Sequence, residues 1–454
     1  MFKSVNPANF ETIATYEPHS SQEVTKIIDS VNRAWDGWKE TSFAHRRVLM
    51  FKAAEVLESG RNKYARLMVM EMGKPMQQAL AEVEKCASVC RYYAENAEEM
   101  LKNELVKTDA HASYIAYRPL GPVLAVMPWN FPFWQVFRFA APALMAGNAG
   151  LLKHASNVMG CAMAIEEVFR EAGFPSDVFR TLKVGGSDVA EIIENPGIKA
   201  VTLTGSVGAG MAVAKKAGEQ LKKTVLELGG SDPYIILEDA DLEQAAEACV
   251  TSRLINGGQS CVAAKRFIVV EAAYTEFEKL FLEKMKQKTM GNPLDENSDL
   301  GPQAQKKLRD ELHEQVLQSI QKGARCLLGG FIPDMEGAWY PPTILAGVKP
   351  GMPAWEEEMF GPVAALIRAK DEDEAIAFAN DSVFGLGAAV FTADKERGRR
   401  IAEEKLNAGC CFVNDFVKSD PRLPFGGIGH SGYGRELSYP GIREFMNMKT
   451  VWVK

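Results

Sequence analysis

Residues 198–220, "IKAVTLTGSVGAGMAVAKKAGEQ", change character at the pair Gly205–Ser206. The apolar run before this pair predicts a short buried strand, and the residues from 208 to 220 predict a helix. A strand that leads directly into a helix is typical of an α/β protein. The N–H groups at the start of such a helix can face a pyrophosphate. Residues 203–210 lack the G-x-G-x-x-G pattern, however, and carry little weight alone.

Similar apolar runs lie on both sides of this stretch and end in Gly, Pro or polar residues. Helical segments at 159–172, 188–194 and 208–220 separate most of them. This alternation predicts a parallel sheet covered on both faces, with ligands bound at the carboxyl ends of its strands. Four polar residues fall at or just after predicted strand ends: Asn130, Lys153, Ser206 and Glu227. The predicted strands are 121–128, 149–155, 179–185, 198–205, 223–230 and 233–239.

A second alternating section begins near residue 265, and residues 21–102 predict helices, the first of them capped by Ser21. We therefore expect the chain to divide near Gly229–Gly230 into two α/β parts. The strand-like runs of the second section are 265–270, 324–330, 363–369, 388–393 and 410–415. Its predicted helices are 273–289, 303–322, 373–380 and 394–407.

The composition excludes several classes of protein. A chain of 454 residues is too long for one compact core, and its net charge of −7 gives no sign of nucleic-acid binding. Eight scattered cysteines without C-x-x-C or H-E-x-x-H spacing predict free thiols in a reducing compartment and no metal site. The most apolar stretch, 139–152, is interrupted by Pro142 and Gly147 and is shorter than the ~20 residues that span a bilayer. With no signal-like start, a cytoplasmic protein is expected.

Cys261 lies in the small, polar stretch "LINGGQSCVAA", residues 254–264, with no histidine nearby. A lone cysteine is most often an inert buried thiol. The two glycines before it imply a close backbone approach, and a polar loop between a helix and a strand favours function. A reactive thiol needs a lowered pKa, which backbone N–H groups, a cation or a bound oxidised nicotinamide can produce.

Glu227 and Asn130 are the other candidate catalytic residues. Glu227 stands in an apolar strand, where it is either a structural ion-pair partner or a base with a raised pKa. Asn130 follows a strand between Pro128 and Pro132. Its amide either belongs to an ordinary turn or is held rigidly enough to stabilise an oxyanion.

The motifs "MPWNFP", "LTGS", "LELGG", "GGQSC", "EMFGPV" and "PFGGIGHSG" occur in this order along the chain. Together they resemble the aldehyde dehydrogenase superfamily, and the resemblance covers nearly the whole chain. The resemblance is nearest to the short bacterial succinate-semialdehyde dehydrogenases, through residues 127–138, 151–162, 226–233 and 423–427. It implies an α/β fold with a Rossmann-type cofactor domain, a second α/β catalytic domain and a small β oligomerisation element.

The resemblance also implies a role for each candidate catalytic residue. Cys261 would attack the aldehyde carbon, while the Asn130 side chain and the Cys261 backbone N–H hold the oxyanion. Hydride would pass to the nicotinamide and leave a thioester, which water activated by Glu227 would hydrolyse. No histidine is needed in this scheme.

The cofactor residues implied by the resemblance point to NAD(P). Glu358 and Phe360 would contact the nicotinamide ribose and ring, and the rest of the site would be lined by Trp129, Lys153, Gly205 and Ser206. Many NAD-preferring relatives carry a carboxylate three residues after the Lys153 equivalent, where this chain has Ser156. Without that carboxylate a 2′-phosphate meets no repulsion. NADP is therefore expected as the preferred cofactor, with NAD also accepted.

Arg138, Ser419 and Arg422 are candidates for binding a substrate carboxylate, and their alternative role is ion pairing at a surface or between domains. A second arginine of some relatives is replaced by Ile255. Succinate semialdehyde is the expected substrate, and other small aldehydes are the alternative. A CoA-acylating enzyme and a non-catalytic cofactor-binding protein of the same fold are further alternatives, which the presence of Glu227, Cys261 and Asn130 disfavours.

The resemblance predicts boundaries for the domains. The cofactor domain comprises residues 1–103 and 120–229, and the catalytic domain comprises 230–438. Residues 104–119 with 439–454 form the oligomerisation element, so a homodimer or homotetramer is expected.

Overall fold

The computed structural model describes all 454 residues, and its strands follow the predicted runs closely. The two N-terminal strands, a strand at 343–346 and the two-residue strands at 384–385, 428–429 and 432–433 were not predicted. The strands are β1 (Phe2–Val5), β2 (Thr12–Tyr16), β3 (Glu104–Leu105), β4 (Ala112–Pro119), β5 (Pro122–Met127), β6 (Ala149–His154), β7 (Phe179–Thr181), β8 (Ala200–Thr204), β9 (Lys223–Glu227), β10 (Pro233–Ile236), β11 (Arg266–Val270), β12 (Arg325–Leu328), β13 (Thr343–Ala346), β14 (Val363–Ala369), β15 (Phe384–Gly385), β16 (Gly387–Phe391), β17 (Cys410–Val413), β18 (Ile428–Gly429), β19 (Gly432–Tyr433) and β20 (Met446–Val453).

The helices are α1 (Ser21–Trp38), α2 (Phe43–Ser59), α3 (Arg61–Met72), α4 (Met76–Met100), α5 (Trp134–Met145), α6 (Met159–Glu171), α7 (Val189–Glu194), α8 (Val207–Glu219), α9 (Leu242–Leu254), α10 (Glu271–Lys286), α11 (Lys306–Gln321), α12 (Pro353–Glu356), α13 (Glu372–Asn380), α14 (Lys395–Glu404) and α15 (Ser438–Arg443). The first helix is capped by Ser20 and not by Ser21, because the Ser20 hydroxyl accepts from the Glu23 N–H and the Glu23 carboxylate accepts from the Ser20 N–H. None of the helices is both long enough and apolar enough to cross a bilayer.

The first sheet has six strands in the order β19-β9-β8-β5-β6-β7. All neighbours are parallel except β19 and β9. The strand order reverses between β5 and β8, which is where open parallel sheets bind ligands. Apolar side chains are buried on both faces of the sheet, as the continuous apolar runs predicted: α2 to α6 cover one face, and α1, α7 and α8 cover the other.

The second sheet has seven strands in the order β12-β13-β14-β11-β10-β16-β17, all parallel except β12. A separate core packs on it. The segment that contains β19 returns from this second section of the chain to the edge of the first sheet.

A third, antiparallel sheet has the order β20-β4-β3. β4 and β20 pair along eight residues, from Met446 opposite Pro119 to Val453 opposite Ala112. β3 pairs antiparallel with the other side of β4 through Glu104 and Leu105.

The helix α5 was not predicted, because every one of its residues is buried. A helix that is apolar all round lacks the periodic polar face by which helices are recognised in sequences, and Pro142 inside it is atypical of a helix. This helix begins directly after the loop that contains Asn130.

Candidate active site

The four polar residues expected at strand ends share one edge of the first sheet. Lys153 lies at the end of β6, Asn130 follows β5, Ser206 follows β8 and Glu227 ends β9. These four strands are adjacent and parallel, so their carboxyl ends lie side by side. The predicted clustering of these residues is therefore present in the fold.

The loop that carries Cys261 follows α9 and is pinned in an unusual backbone conformation. Asn256, Gly257 and Gly258 have φ values of 56°, 63° and 75°, in the left-handed region. A Cβ atom on Gly258 would lie 2.1 Å from the carbonyl oxygen of Gly361 in the "EMFGPV" loop. Only glycine permits this approach, so the two motif loops are in direct contact.

Asn130 and Asn256 connect the first sheet to the cysteine loop. The Asn130 Nδ2 donates to the Gln259 carbonyl at 3.1 Å. The Asn256 Nδ2 donates to the Asn130 carbonyl at 2.7 Å and to the Gln259 carbonyl at 3.0 Å. Both side chains are buried. An amide nitrogen carries two hydrogens, so Asn130 keeps a second N–H for another acceptor.

Lys265 holds the backbone of Cys261 from the other side. Its buried Nζ donates to the carbonyls of Cys261 at 2.6 Å and Ser260 at 2.8 Å. The same Nζ lies 3.5 Å from Glu358 Oε1, which also accepts from the Gly230 N–H at 3.0 Å. Lys265 was not identified from the sequence. It follows two alanines and begins a predicted apolar strand, and a charged residue in such apolar surroundings is a sign of a functional or paired group.

The Cys261 thiol does not have the lowered pKa expected from the sequence. Burial raises its pKa to about 12, although the nearby charges of Lys265 and Arg138 lower it. The groups of the protein therefore keep this thiol protonated at neutral pH.

Glu227 is buried, and neither carboxylate oxygen has a hydrogen-bond partner in the protein. Burial, followed by the charge of Glu436, raises its pKa well above the usual range, while Arg138 and Arg435 act in the opposite direction. The raised pKa expected for a base in apolar surroundings is present. Glu436, in the "GHSGYGRE" segment, was not identified from the sequence.

A cavity of about 200 Å³ opens beside Cys261. Arg138 and Ser419 line it as the sequence predicted, and Ile255 contributes an apolar wall. Arg138 is buried, forms an ion pair with Glu436 and lies over the Phe425 ring at 4.8 Å. The ion pair that was the alternative role of Arg138 is therefore present, and its position at the cavity keeps substrate binding a prediction.

Arg422 lies outside this cavity, contrary to the prediction that it contacts substrate. Its side chain is 75% exposed and its guanidinium pairs with Asp420, two residues away. The cavity is lined instead by Lys85 of α4, a residue that sequence reasoning missed. Lys85 lies in a regular helical pattern, so its spacing in the sequence gives no sign of a site.

The remaining predicted cofactor residues lie along the same edge of the first sheet. Lys153 is half-buried, forms no ion pair, and burial lowers its pKa. Ser156 is exposed in a short 3-10 turn directly after β6. Gly205 precedes Ser206, whose hydroxyl caps α8 by accepting from the Ala209 N–H.

Glu358, Phe360 and Trp129 join these residues to the cysteine loop. The rings of Trp129 and Phe360 meet edge to face, with centroids 5.8 Å apart. A Cβ atom on Gly229 would lie 2.5 Å from Glu358 Oε2. The "MPWNFP", "LELGG" and "EMFGPV" motifs therefore meet around one site.

Comparison with known proteins agrees with this geometry. A probable succinate-semialdehyde dehydrogenase, NADP(+), from Synechocystis sp. is 51% identical over 450 residues, covering 99% of each chain. The succinate semialdehyde dehydrogenase Sad, NAD(P)+, of Escherichia coli K12 is 46% identical, covering 99% of this chain and 97% of its own. The crystal structure of succinic semialdehyde dehydrogenase from Streptococcus pyogenes with NADP+ superposes with a TM-score of 0.97 at 36% identity, covering 100% of both chains.

The family assignment follows from a match along almost the entire sequence. The family model described as "Aldehyde dehydrogenase family" matches residues 1–451. The motif loops that the match includes are those that meet around Cys261. The chain belongs to the aldehyde dehydrogenase family.

Proposed function

We propose that this protein oxidises succinate semialdehyde to succinate, with NADP+ as the preferred acceptor and NAD+ as a second one. The observation that carries the proposal is the cavity beside Cys261, which combines an apolar wall with the cations Lys85 and Arg138. Such a cavity suits a short aliphatic aldehyde with a carboxylate at its other end. Similar proteins named for this reaction support the same substrate.

The residues along the first sheet fit a dinucleotide. Lys153, at the end of β6, is a half-buried cation without a carboxylate partner, and α8 begins after its cap Ser206 at the end of β8, two strands away in the same sheet. Glu358 supplies a carboxylate for ribose hydroxyls next to Gly229, where any larger residue would fill the space. A cation, a helix N-terminus and a carboxylate are the donor and acceptor set that a dinucleotide requires.

Cys261 is the proposed nucleophile. Its Sγ adds to the aldehyde carbon as the thiol gives its proton to solvent through the open cavity, and a tetrahedral oxyanion forms. NADP+, when bound, would supply the hydride acceptor for that carbon, and loss of the hydride would leave a thioester on Cys261. Lys265 fixes the Cys261 carbonyl at 2.6 Å, so the backbone of the nucleophile stays in place while its side chain reacts.

Asn130 and the Cys261 N–H are the proposed oxyanion donors. The Asn130 side-chain amide donates to the Gln259 carbonyl, and the backbone carbonyl of Asn130 accepts from the Asn256 side chain. These two bonds fix the direction of the second N–H of the Asn130 amide. Donors that are fixed before the reaction cost no reorganisation when charge develops.

Glu227 is the proposed base for thioester hydrolysis. Its raised pKa makes the Glu227 carboxylate, once deprotonated, a stronger base toward water than a free side chain, and its oxygens have no hydrogen-bond partner in the protein that would compete with that water. Water attacks the thioester carbon, succinate leaves and the Cys261 thiol is restored. A base for water favours hydrolysis over acyl transfer to CoA.

Ser156 supports the preference for NADP+. The Ser156 side chain is exposed three residues after Lys153 and carries no charge, so it does not repel a 2′-phosphate. Lys153 supplies positive charge for the same group.

A matrix of aldehydes and cofactors tests this function. We expect the wild-type protein to oxidise succinate semialdehyde with a higher kcat/KM than butanal, and with a higher kcat/KM for NADP+ than for NAD+. C261A should lose at least ~10³-fold in kcat. The matched control C326A removes an exposed thiol and should keep full activity. Most activity retained by C261A, or a clear preference for NAD+, would contradict the proposal.

We further propose that the two large sheets belong to a cofactor domain (1–103 and 120–229) and a catalytic domain (230–438), and that residues 104–119 with 439–454 join subunits. β20 has a free edge, with Met448 and Trp452 exposed. An exposed apolar edge strand is a site for pairing with another copy. Sedimentation should then give a homodimer or homotetramer.

The eight free cysteines are consistent with a cytoplasmic location.

A further inference from the structure

Lys85 is a half-buried lysine that lines the cavity and has no step of its own in the mechanism above. It lies in the middle of α4, which packs against α5, and its Nζ reaches the cavity beside Cys261. The Nζ donates to Ser419 Oγ at 2.8 Å and lies 4.2 Å from the centre of the Trp134 ring. Both contacts hold the ammonium group at the cavity wall.

The charge of Lys85 has no counter-ion in the protein. No carboxylate oxygen lies within 4.0 Å of its Nζ, whereas the neighbouring buried cations are paired, Arg138 with Glu436 and Lys74 with Glu82. A buried ammonium group is costly unless an anion neutralises it. The positive charge of Lys85 at the cavity wall is therefore not neutralised by any carboxylate of the protein.

We propose that the Lys85 ammonium group, with the Ser419 hydroxyl, binds the carboxylate of the substrate and is the main determinant of preference for carboxylated aldehydes. The inference rests on the proposed function and adds to it a residue outside the motifs. Arg138 then acts chiefly through its ion pair with Glu436 and its charge near Cys261 and Glu227.

The other cations near the cavity are less suited to this role. Lys418 also lines it but is 52% exposed and pairs with Asp415 at 2.7 Å. Water screens such a surface cation, and its pairing competes with substrate. Lys85 is thus the one lining cation that forms no ion pair, since Arg138 pairs with Glu436 and Lys418 with Asp415.

The electrostatic surroundings of Lys85 make binding depend on pH. Burial, followed by the charge of Arg138, lowers its pKa to about 8, while Cys86, Glu82 and Asp420 oppose this. Below that pH the group is charged and binds a carboxylate. Above it the amine is neutral, so KM for a carboxylated aldehyde should rise, while KM for an uncharged aldehyde should not.

The test compares succinate semialdehyde with butanal in the wild type, K85M and K85R, between pH 6.5 and 9.5. K85M should raise KM for succinate semialdehyde about 10- to 150-fold, as expected for loss of one charge-assisted hydrogen bond. It should change kcat/KM for butanal less than threefold. K85R keeps the charge at all these pH values, so its KM should lose the alkaline rise. K102M, which removes an exposed lysine just after α4, is the matched control.

Outcomes separate this inference from the proposed function. If the wild type oxidises neither aldehyde, the proposed function fails. If it oxidises succinate semialdehyde and K85M affects both aldehydes equally, or neither, the role of Lys85 is overturned. Should K85M not fold, as judged by circular dichroism, the pH profiles of the wild type and K85R decide. An alkaline rise in KM that persists in K85R contradicts the proposal.

Discussion

At the scale of residues, this site depends on groups whose charge states are set by burial. Cys261 and Glu227 both have raised pKa values, so both hold their protons more firmly than free side chains do. Sequence reasoning found both residues, because a cysteine in a polar loop and an acid in an apolar strand are local anomalies. It could not anticipate the protonated state of Cys261, which depends on how the neighbouring elements cover it.

The pH dependence of thiol alkylation should reveal this state. With a pKa of about 12, the thiolate fraction of Cys261 grows about tenfold for each pH unit between 7 and 10. Iodoacetamide labelling of the cofactor-free protein, measured by peptide mass spectrometry, should follow this slope. The exposed Cys326 serves as an internal reference in the same sample. A Cys261 rate that levels off below pH 8 would contradict the assignment.

Glu227 should act after hydride transfer. E227Q keeps the shape but removes the base, so we expect kcat to fall roughly 10²- to 10⁴-fold. A burst of NADPH equal to the enzyme concentration should remain, because Cys261 and Asn130 are intact. E219Q, at an exposed residue paired with Lys216, is the control. Loss of the burst in E227Q would assign this residue to an earlier step.

At the scale of elements, the loop after α9 is held in place by several contacts. Asn130 and Lys265 donate to carbonyls of this loop, at Gln259 and Cys261. Its left-handed Gly258 lies against the carbonyl of Gly361. The double glycine in the sequence indicated a close approach, but not to which element. The helix α4 shows the opposite case, since Lys85 joins the site only because α4 packs against α5, and such packing leaves no local pattern.

Substitution of Gly258 should damage both stability and activity. In G258A the new methyl group would lie 2.1 Å from the Gly361 oxygen at a φ of +75°, so the loop must move. We expect about 2 kcal/mol or more of lost unfolding free energy, with reduced kcat. Denaturant unfolding measures the first quantity. In G218A, an open helical position, stability should stay the same or rise slightly. Equal effects of the two substitutions would show that the contact is unimportant.

At the scale of the whole molecule, the alternating pattern predicted two parallel sheets, and both are present. The resemblance to the aldehyde dehydrogenases is confirmed along the chain. The arrangement of the sheets was not predictable from the pattern. Asn130 and Gly230 show that the carboxyl ends of the first sheet meet the segments that precede β10 and β11 of the second. The Asn130–Gln259 contact joins residues 129 positions apart, and no local sequence pattern reveals such a contact.

The return of β19 to the first sheet has a consequence for cooperativity. Gly432 pairs with Glu227, so the strand that carries the base is completed by a segment about 200 positions later, after the whole second sheet. The two halves are therefore interlaced, and neither can unfold or swing away without breaking the other's hydrogen bonds. Discrimination between aldehydes then depends on a cavity whose shape is set before the substrate binds. On heating, enzymatic activity and secondary structure should be lost together in a single transition.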